Sequence, residues 1–195
     1  MRTSSLTRET KETSIRASLT LDNEKGGLKG STGVGFFDHM LNSFCVHGSF
    51  ILEIEMSGDL YVDCHHTIED VGIVLGNLFK DVLGDRSGIA RFGESHVPMD
   101  EALAFCAIDI SGRPYLVYNE NGYINSPMIG GYDTEMTEEF FRAFSFNAGF
   151  TLHLNLLYGK NAHHCVEALY KAAARAVKAA STVTGGAVLS AKGVL

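Results

Sequence analysis

The chain has 195 residues, 45% of them hydrophobic, enough to bury the core of one large domain or of two small fused units. With 16 Lys and Arg against 23 Asp and Glu, the net charge of −7 works against binding to nucleic acid or an anionic membrane, and no basic run offsets it. No window approaches the roughly 20 apolar residues of a membrane span, and the opening MRTSSLTRETKETS lacks a signal-like apolar stretch, so a cytoplasmic protein is expected.

Taken in chain order, the polar segment Arg8 to Thr13 comes first, and its Glu12 reads by itself as a surface carboxylate. Phe36-Phe37-Asp38-His39-Met40-Leu41 then reads as a short helix, and Phe50 to Met56 alternates as a half-buried strand. Next comes His65-His66-Thr67-Ile68-Glu69, followed by Val71, Val74, Leu75, Leu78, Phe79 and Val82 at helical spacing. Ala102 to Asp109 and Pro114 to Tyr118 read as a strand pair joined by the turn Ser111-Gly112-Arg113. Glu138 to Ala143 reads as a second short helix and Thr151 to Leu157 as a second alternating strand. His163-His164-Cys165-Val166-Glu167 follows, opening a helix through Ala168, Leu169, Ala172, Ala176 and Val177. The glycine-rich tail from Gly185 onward is expected to be a mobile loop until something orders it.

The second series repeats the first, which predicts an internally duplicated α/β domain of the α+β type, with two similar halves that each pack a β-sheet on two helices. Residues 1–90 form the first half and 91–195 the second, joined in one unit. Both histidine pairs fall at helix N-termini. On a helix, residues three apart share a face while adjacent ones diverge by about 100°. The spacing therefore suggests two metal sites, each made from one His-x-x-Glu pair (His66 with Glu69, His164 with Glu167) and the leading histidine of the other repeat, His163 or His65.

His39 and Glu139 stand at comparable places upstream and are candidates for further ligands. Imidazole plus carboxylate suits Mn²⁺, Fe²⁺ or Zn²⁺. Cys45, Cys64, Cys106 and Cys165 are too few and scattered for a disulfide framework and read as buried reduced thiols. His47 and His153 read as minor or structural histidines.

Along nearly its whole length the chain resembles the imidazoleglycerol-phosphate dehydratase family. The motifs that carry the resemblance are Arg8-x-Thr10-x-Glu12-Thr13, Phe37-Asp38-His39-Met40-Leu41, Gly58-Asp59-Leu60-x-Val62-Asp63-x-His65-His66-Thr67-x-Glu69-Asp70, Arg91-Phe92-Gly93, Pro98-Met99-Asp100-Glu101-Ala102, Asp109-x-Ser111-Gly112-Arg113 and Asn161-x-His163-His164. The resemblance implies a hollow homo-oligomer of twenty-four chains with active sites between subunits. It also implies two Mn²⁺ ions per subunit, one held by His39, His66, Glu69 and His163, the other by His65, Glu139, His164 and Glu167. Many members carry histidine where this chain has Glu139, so the additional anionic ligand bears on metal preference.

By the same resemblance, Arg91, Arg113, Ser190 and Lys192 bind the substrate phosphate, and Glu12 is the proton-transferring base. The implied reaction is loss of water from D-erythro-imidazole glycerol phosphate to give imidazole acetol phosphate in histidine biosynthesis. No carbonyl acidifies the carbon-bound proton, so the imidazole ring must take up the developing charge, with metal ions acting on its nitrogens. A metal store with closed coordination and a metallohydrolase are the rival readings. The chain lacks the His-Glu-x-x-His spacing of the zinc proteases.

Overall fold

Alternation at a period of two makes Thr13–Thr20 (β2) a one-sided strand, with Ile15, Ala17 and Leu19 buried and the residues between them facing outward. In the computed structural model, which describes residues 1–193, β2 lies between Thr3–Glu9 (β1) and Ile51–Gly58 (β4), antiparallel to both. Gly27–Ser31 (β3) runs parallel to β4 on its far edge, giving the order β1-β2-β4-β3. The helices of this half are Gly35–Gly48 (α1) and His65–Leu83 (α2).

The second half repeats the pattern. Phe92–Met99 (β5), Ala102–Asp109 (β6), Tyr115–Asn119 (β7) and Thr151–Tyr158 (β10) form a sheet of order β5-β6-β10-β7. Its helices are Met136–Ala148 (α3) and Ala162–Ser181 (α4), and the two-residue strands Met128–Ile129 (β8) and Tyr132–Asp133 (β9) form a small hairpin before α3. Fold and duplication are as the sequence indicates, down to matching strand directions in the two sheets.

Two expectations are corrected. β6 and β7 share a sheet but do not pair, because β10 lies between them, antiparallel to β6 and parallel to β7. The reason is burial: Leu152, Leu154 and Leu156 of β10 are wholly covered, which a central strand achieves and an edge strand does not. The segment Ser111-Gly112-Arg113 therefore crosses beyond β10 instead of closing a hairpin, with Gly112 at φ 75°. The tail is the second correction, because its described part is tied back onto the segment before β5. Val183 bridges Ile89, Thr184 N–H donates to the Gly88 carbonyl at 2.7 Å, and the Arg91 guanidinium donates to the Leu189 carbonyl at 2.5 Å. Val194 and Leu195 lie outside the described residues.

The halves share one core. α2 packs along α3 and α1 along α4, and Phe44, Phe79, Phe144 and Phe150 from both halves meet with ring centroids 5.5 to 6.4 Å apart. α2 approaches α3 closely because Gly72 and Gly76 present no side chain there. A Cβ at Gly72 would stand 2.8 Å from the Phe140 carbonyl oxygen, and one at Gly76 would stand 2.6 Å from that of Phe144. A methyl at either position overpacks the contact, a class of change that costs about 1–3 kcal/mol. This packing sets α3 against the first histidine pair and α1 against the second.

Candidate metal centre

Each histidine pair begins a helix that follows a central strand. Asn161 caps α4, its side-chain oxygen accepting from the His163 N–H at 2.9 Å and the His164 N–H at 3.4 Å. At α2 the Asp63 carboxylate accepts from the His65 N–H at 2.7 Å. Both devices fix the first turn and hence where the rings emerge.

The leading histidine and the glutamate of each motif face one another. His163 Nε2 is 3.3 Å from Glu167 Oε2, and His65 Nε2 is 3.8 Å from Glu69 Oε2. These are i,i+4 pairs, so the i,i+3 pairing expected from spacing is not the one formed. Four residues advance a helix by about 400°, leaving side chains about 40° apart, whereas three leave them about 60° apart.

His39 from α1 joins the second motif, its Nε2 standing 3.7 Å from Glu167 Oε2. His39, His163 and Glu167 each offer one ligand atom, and these atoms all lie within 4.8 Å of one another. Two imidazoles and a carboxylate converging in this way fit a divalent ion with positions left over. Glu167 is 6% exposed. Burial works to raise its pKa, but Lys171 at 2.7 Å, with His39 and His163, outweighs that and holds the carboxyl below its ordinary range.

The matching place in the other half is built differently. His65 and Glu139 line one open cleft of about 670 Å³, beside Tyr118, Glu120 and Glu138. Glu139 forms an ion pair with Arg142 one turn along α3, and Arg142 is held charged first by that hydrogen bond and further by Glu69. Two glutamates thus act on one arginine, and His65 faces one of them, Glu69.

The trailing histidines turn elsewhere. His66 Nδ1 lies 2.9 Å from Asp59 Oδ2, and His164 Nδ1 lies 2.8 Å from Glu101 Oε2. The pKa of His66 is raised, chiefly by its bond to Asp59, with the charges of Asp59, Glu12 and Asp63 contributing. That of His164 is raised chiefly by Glu101. Glu101 itself is held down at about 2 by the Asn161 N–H first, then by His164. Sequence reasoning gave neither Asp59 nor Glu101 a role, although both sit inside quoted motifs.

Glu12 occupies the exposed β1–β2 turn, and its charge reaches His66. The turn is anchored to α2 because Arg8 and Thr13 both donate to Asp70, a buried carboxylate one residue past Glu69. Of the candidate phosphate ligands, Arg91 is clasped by Asp109 through contacts of 2.7 and 3.1 Å and touches the tail through Leu189. Ser190 Oγ accepts from the Lys192 N–H at 3.2 Å. Arg113 is exposed in the loop before β7, and the structure does not bring it to the other three. All four cysteines are buried and free, and burial pushes the Cys45 thiol up to about 12 and Cys165 to about 11.

Comparison with known proteins gives the family. Residues 32–177 match the family model described as imidazoleglycerol-phosphate dehydratase. The enzyme of that name from Bacillus thuringiensis is 54% identical, with both chains covered in full, and the one from Lacticaseibacillus casei is 53% identical over 94% of this chain and 93% of its own. The crystal structure of the Staphylococcus aureus enzyme superposes with a TM-score of 0.83 at 40% identity, covering 93% of this chain and 99% of that one. The Pyrococcus furiosus enzyme, solved in complex with (S)-C348, gives 0.83 at 33% identity, covering 97% and 100%. The repeated histidine motifs, the fold and full-length relatives on both measures establish that the chain belongs to the imidazoleglycerol-phosphate dehydratase family, hydro-lyases of histidine biosynthesis.

Proposed function

We propose that the chain dehydrates D-erythro-imidazole glycerol phosphate to imidazole acetol phosphate at two divalent-metal centres, with Mn²⁺ as the resident ion and Fe²⁺ or Zn²⁺ as alternatives. The observation that carries this reading is the convergence of His39, His163 and Glu167. The first centre comprises these three residues and His66 of another copy; the second comprises His65, Glu69, Glu139 and His164 of another copy. Compared with the grouping implied by resemblance, the two glutamates exchange places, a reading that the short His163–Glu167 and His65–Glu69 separations support. The trailing histidines are assigned across a subunit boundary because, among the described residues, neither belongs to a ligand cluster within its own chain.

Divalent ions held by these residues would supply Lewis acidity to the substrate ring, letting it accept charge as the carbon-bound proton leaves. Glu12 takes that proton, from a turn held beside His66 by the contacts of Arg8 and Thr13 with Asp70. Arg91, Ser190 and Lys192 hold the phosphate, the tail being already docked on Arg91, and Arg113 reaches the phosphate from its own loop or from a neighbouring copy. A requirement for ligands from two copies fits a cytoplasmic homo-oligomer, for which twenty-four chains is the assembly proposed.

Metal content by mass spectrometry, combined with an elimination assay on imidazole glycerol phosphate, tests the reading. Two manganese equivalents per chain and turnover are expected. Bound metal without elimination would favour a metal store, and hydrolysis in place of elimination would favour a metallohydrolase.

A further inference from the structure

Pairing register lets the two halves be superimposed residue by residue. Thr20, the last residue of β2, lies opposite Ile51 in the first sheet, and Asp109, the last of β6, lies opposite Thr151 in the second; both strands have 8 residues, so the start of β2 matches the start of β6. Glu12, the residue before β2, therefore stands where Glu101, the residue before β6, stands. The two carboxylates do different things. Glu101 binds the ring of the trailing histidine of its own half, whereas in the first half that contact is made by Asp59, from the segment after β4.

We propose, resting on the metal centres above, that Asp59 and Glu101 are positioning residues that hold His66 and His164 in the Nδ1–H form and so leave the Nε2 lone pair for metal, with Asp100 Oδ2 3.6 Å from the Nε2 of His164, and that Asp59 relieves Glu12 of this duty. A neutral imidazole has one protonated nitrogen, and a carboxylate at 2.8–2.9 Å from Nδ1 accepts that proton's hydrogen bond and leaves the lone pair on Nε2. An acceptor behind a metal-binding histidine fixes both tautomer and ring orientation. That carboxylates from unrelated positions reach the same ring atom in both halves points to a requirement of the histidine itself. Where Asp59 meets that requirement, the carboxylate at the Glu101 position is left unengaged, as a proton acceptor must be.

The two contacts predict different responses to amide substitution. Glu101 Oε1 also accepts from the Asn161 N–H at 2.7 Å and the Lys160 N–H at 3.2 Å. In Glu101→Gln these two donors keep the amide oxygen, so the NH₂ group faces His164 Nδ1, moves the ring proton to Nε2 and blocks the metal. Asp59 Oδ1 is buried with no partner among the described residues, so in Asp59→Asn the amide is free to keep its oxygen on His66.

The test is titration of the metal-stripped chain and its variants with Mn²⁺, with assembly followed by sedimentation. Glu101→Gln should weaken one Mn²⁺ step about 10- to 100-fold, and Asp59→Ala should do the same to the other, with Asp59→Asn close to wild type. Glu12→Ala should leave both steps unchanged. Wild-type affinities in Glu101→Gln, or equal losses in Asp59→Asn and Asp59→Ala, would overturn the positioning role. Weakened binding in Glu12→Ala would overturn the division of labour. Failure of the wild-type chain to bind two ions would instead refute the metal centres on which this rests.

Discussion

The two histidine motifs come from one repeated plan, yet the centres they build are not equivalent. At the start of α4 a buried glutamate is neutralised by Lys171 and faced by two histidines, so the charge is balanced before any ion arrives. At the start of α2 the place matching His39 holds Glu139, and the excess negative charge of Glu69 and Glu139 is met by Arg142. Register carries Phe44 and Phe50 onto Phe144 and Phe150, and with them His39 onto Glu139. Duplication thus fixes where these side chains stand, and single substitutions decide which charges surround them. At the start of α4 the cation is Lys171, already paired with Glu167; at the start of α2 it is Arg142, paired with Glu139, which an entering ion would have to displace.

The largest effect tests what the centres share. If each takes ligands from two copies, ordering entropy and ligand repulsion are offset only with the ion in place, so a chelator should abolish activity and shrink the particle. An unchanged sedimentation coefficient after complete metal removal would mean that subunit contacts alone hold the assembly. Next in size is the contrast between the matched carboxylates. Glu12→Gln keeps shape and hydrogen bonding but cannot accept a proton, so turnover at saturating substrate should fall about 10²- to 10⁴-fold with two metals still bound. Turnover comparable with wild type would remove Glu12 from the chemistry.

Smaller effects sharpen the difference between the centres. Arg142→Ala removes the cation that an entering ion must displace, and a partly exposed ion pair of this kind is worth up to about 1 kcal/mol. The weaker of two Mn²⁺ binding steps should therefore tighten by roughly 2- to 5-fold, with the stronger step unmoved; identical isotherms would show that Arg142 lies outside the ion's reach. Glu139→His should have the mildest consequence, keeping activity within the same order of magnitude. Replacing an anionic oxygen by a neutral nitrogen should move the order of Mn²⁺, Fe²⁺ and Zn²⁺ towards the more Lewis-acidic ions. Activity measured with each metal in both proteins reads this out, and an unaltered order would place residue 139 outside the coordination sphere.

What could be read from the sequence follows the range of the interactions involved. The runs after His66 and His164 mark α2 and α4 because burial of one helix face repeats within a few residues, and β4 and β10 are legible for the analogous reason. The placement of β10 between β6 and β7 leaves no such local mark, since periodicity records which face is buried and not which neighbour a strand takes. The choice between His65 and His66 as the partner of Glu69 turned on about 20° of helix rotation, below what spacing resolves. Asp59 and Glu101 were hidden because an orienting carboxylate is defined by a contact across the fold. Arg142 draws no reading of its own because its partner Glu139 is considered only as a ligand, and Arg91, expected to bind phosphate, carries Asp109 on its fork.

The close approach of α2 to α3 at Gly72 and Gly76 has a mechanical consequence. Where long side chains separate two helices, rotamer changes let them drift by fractions of an ångström; here backbone stands against backbone, and the contact has little compliance. Glu69 and Glu139 ride on those two helices. Were Arg142 removed, the two helices could not ease repulsion between those carboxylates by spreading apart, and the relief would have to come from another cation and not from movement of the scaffold.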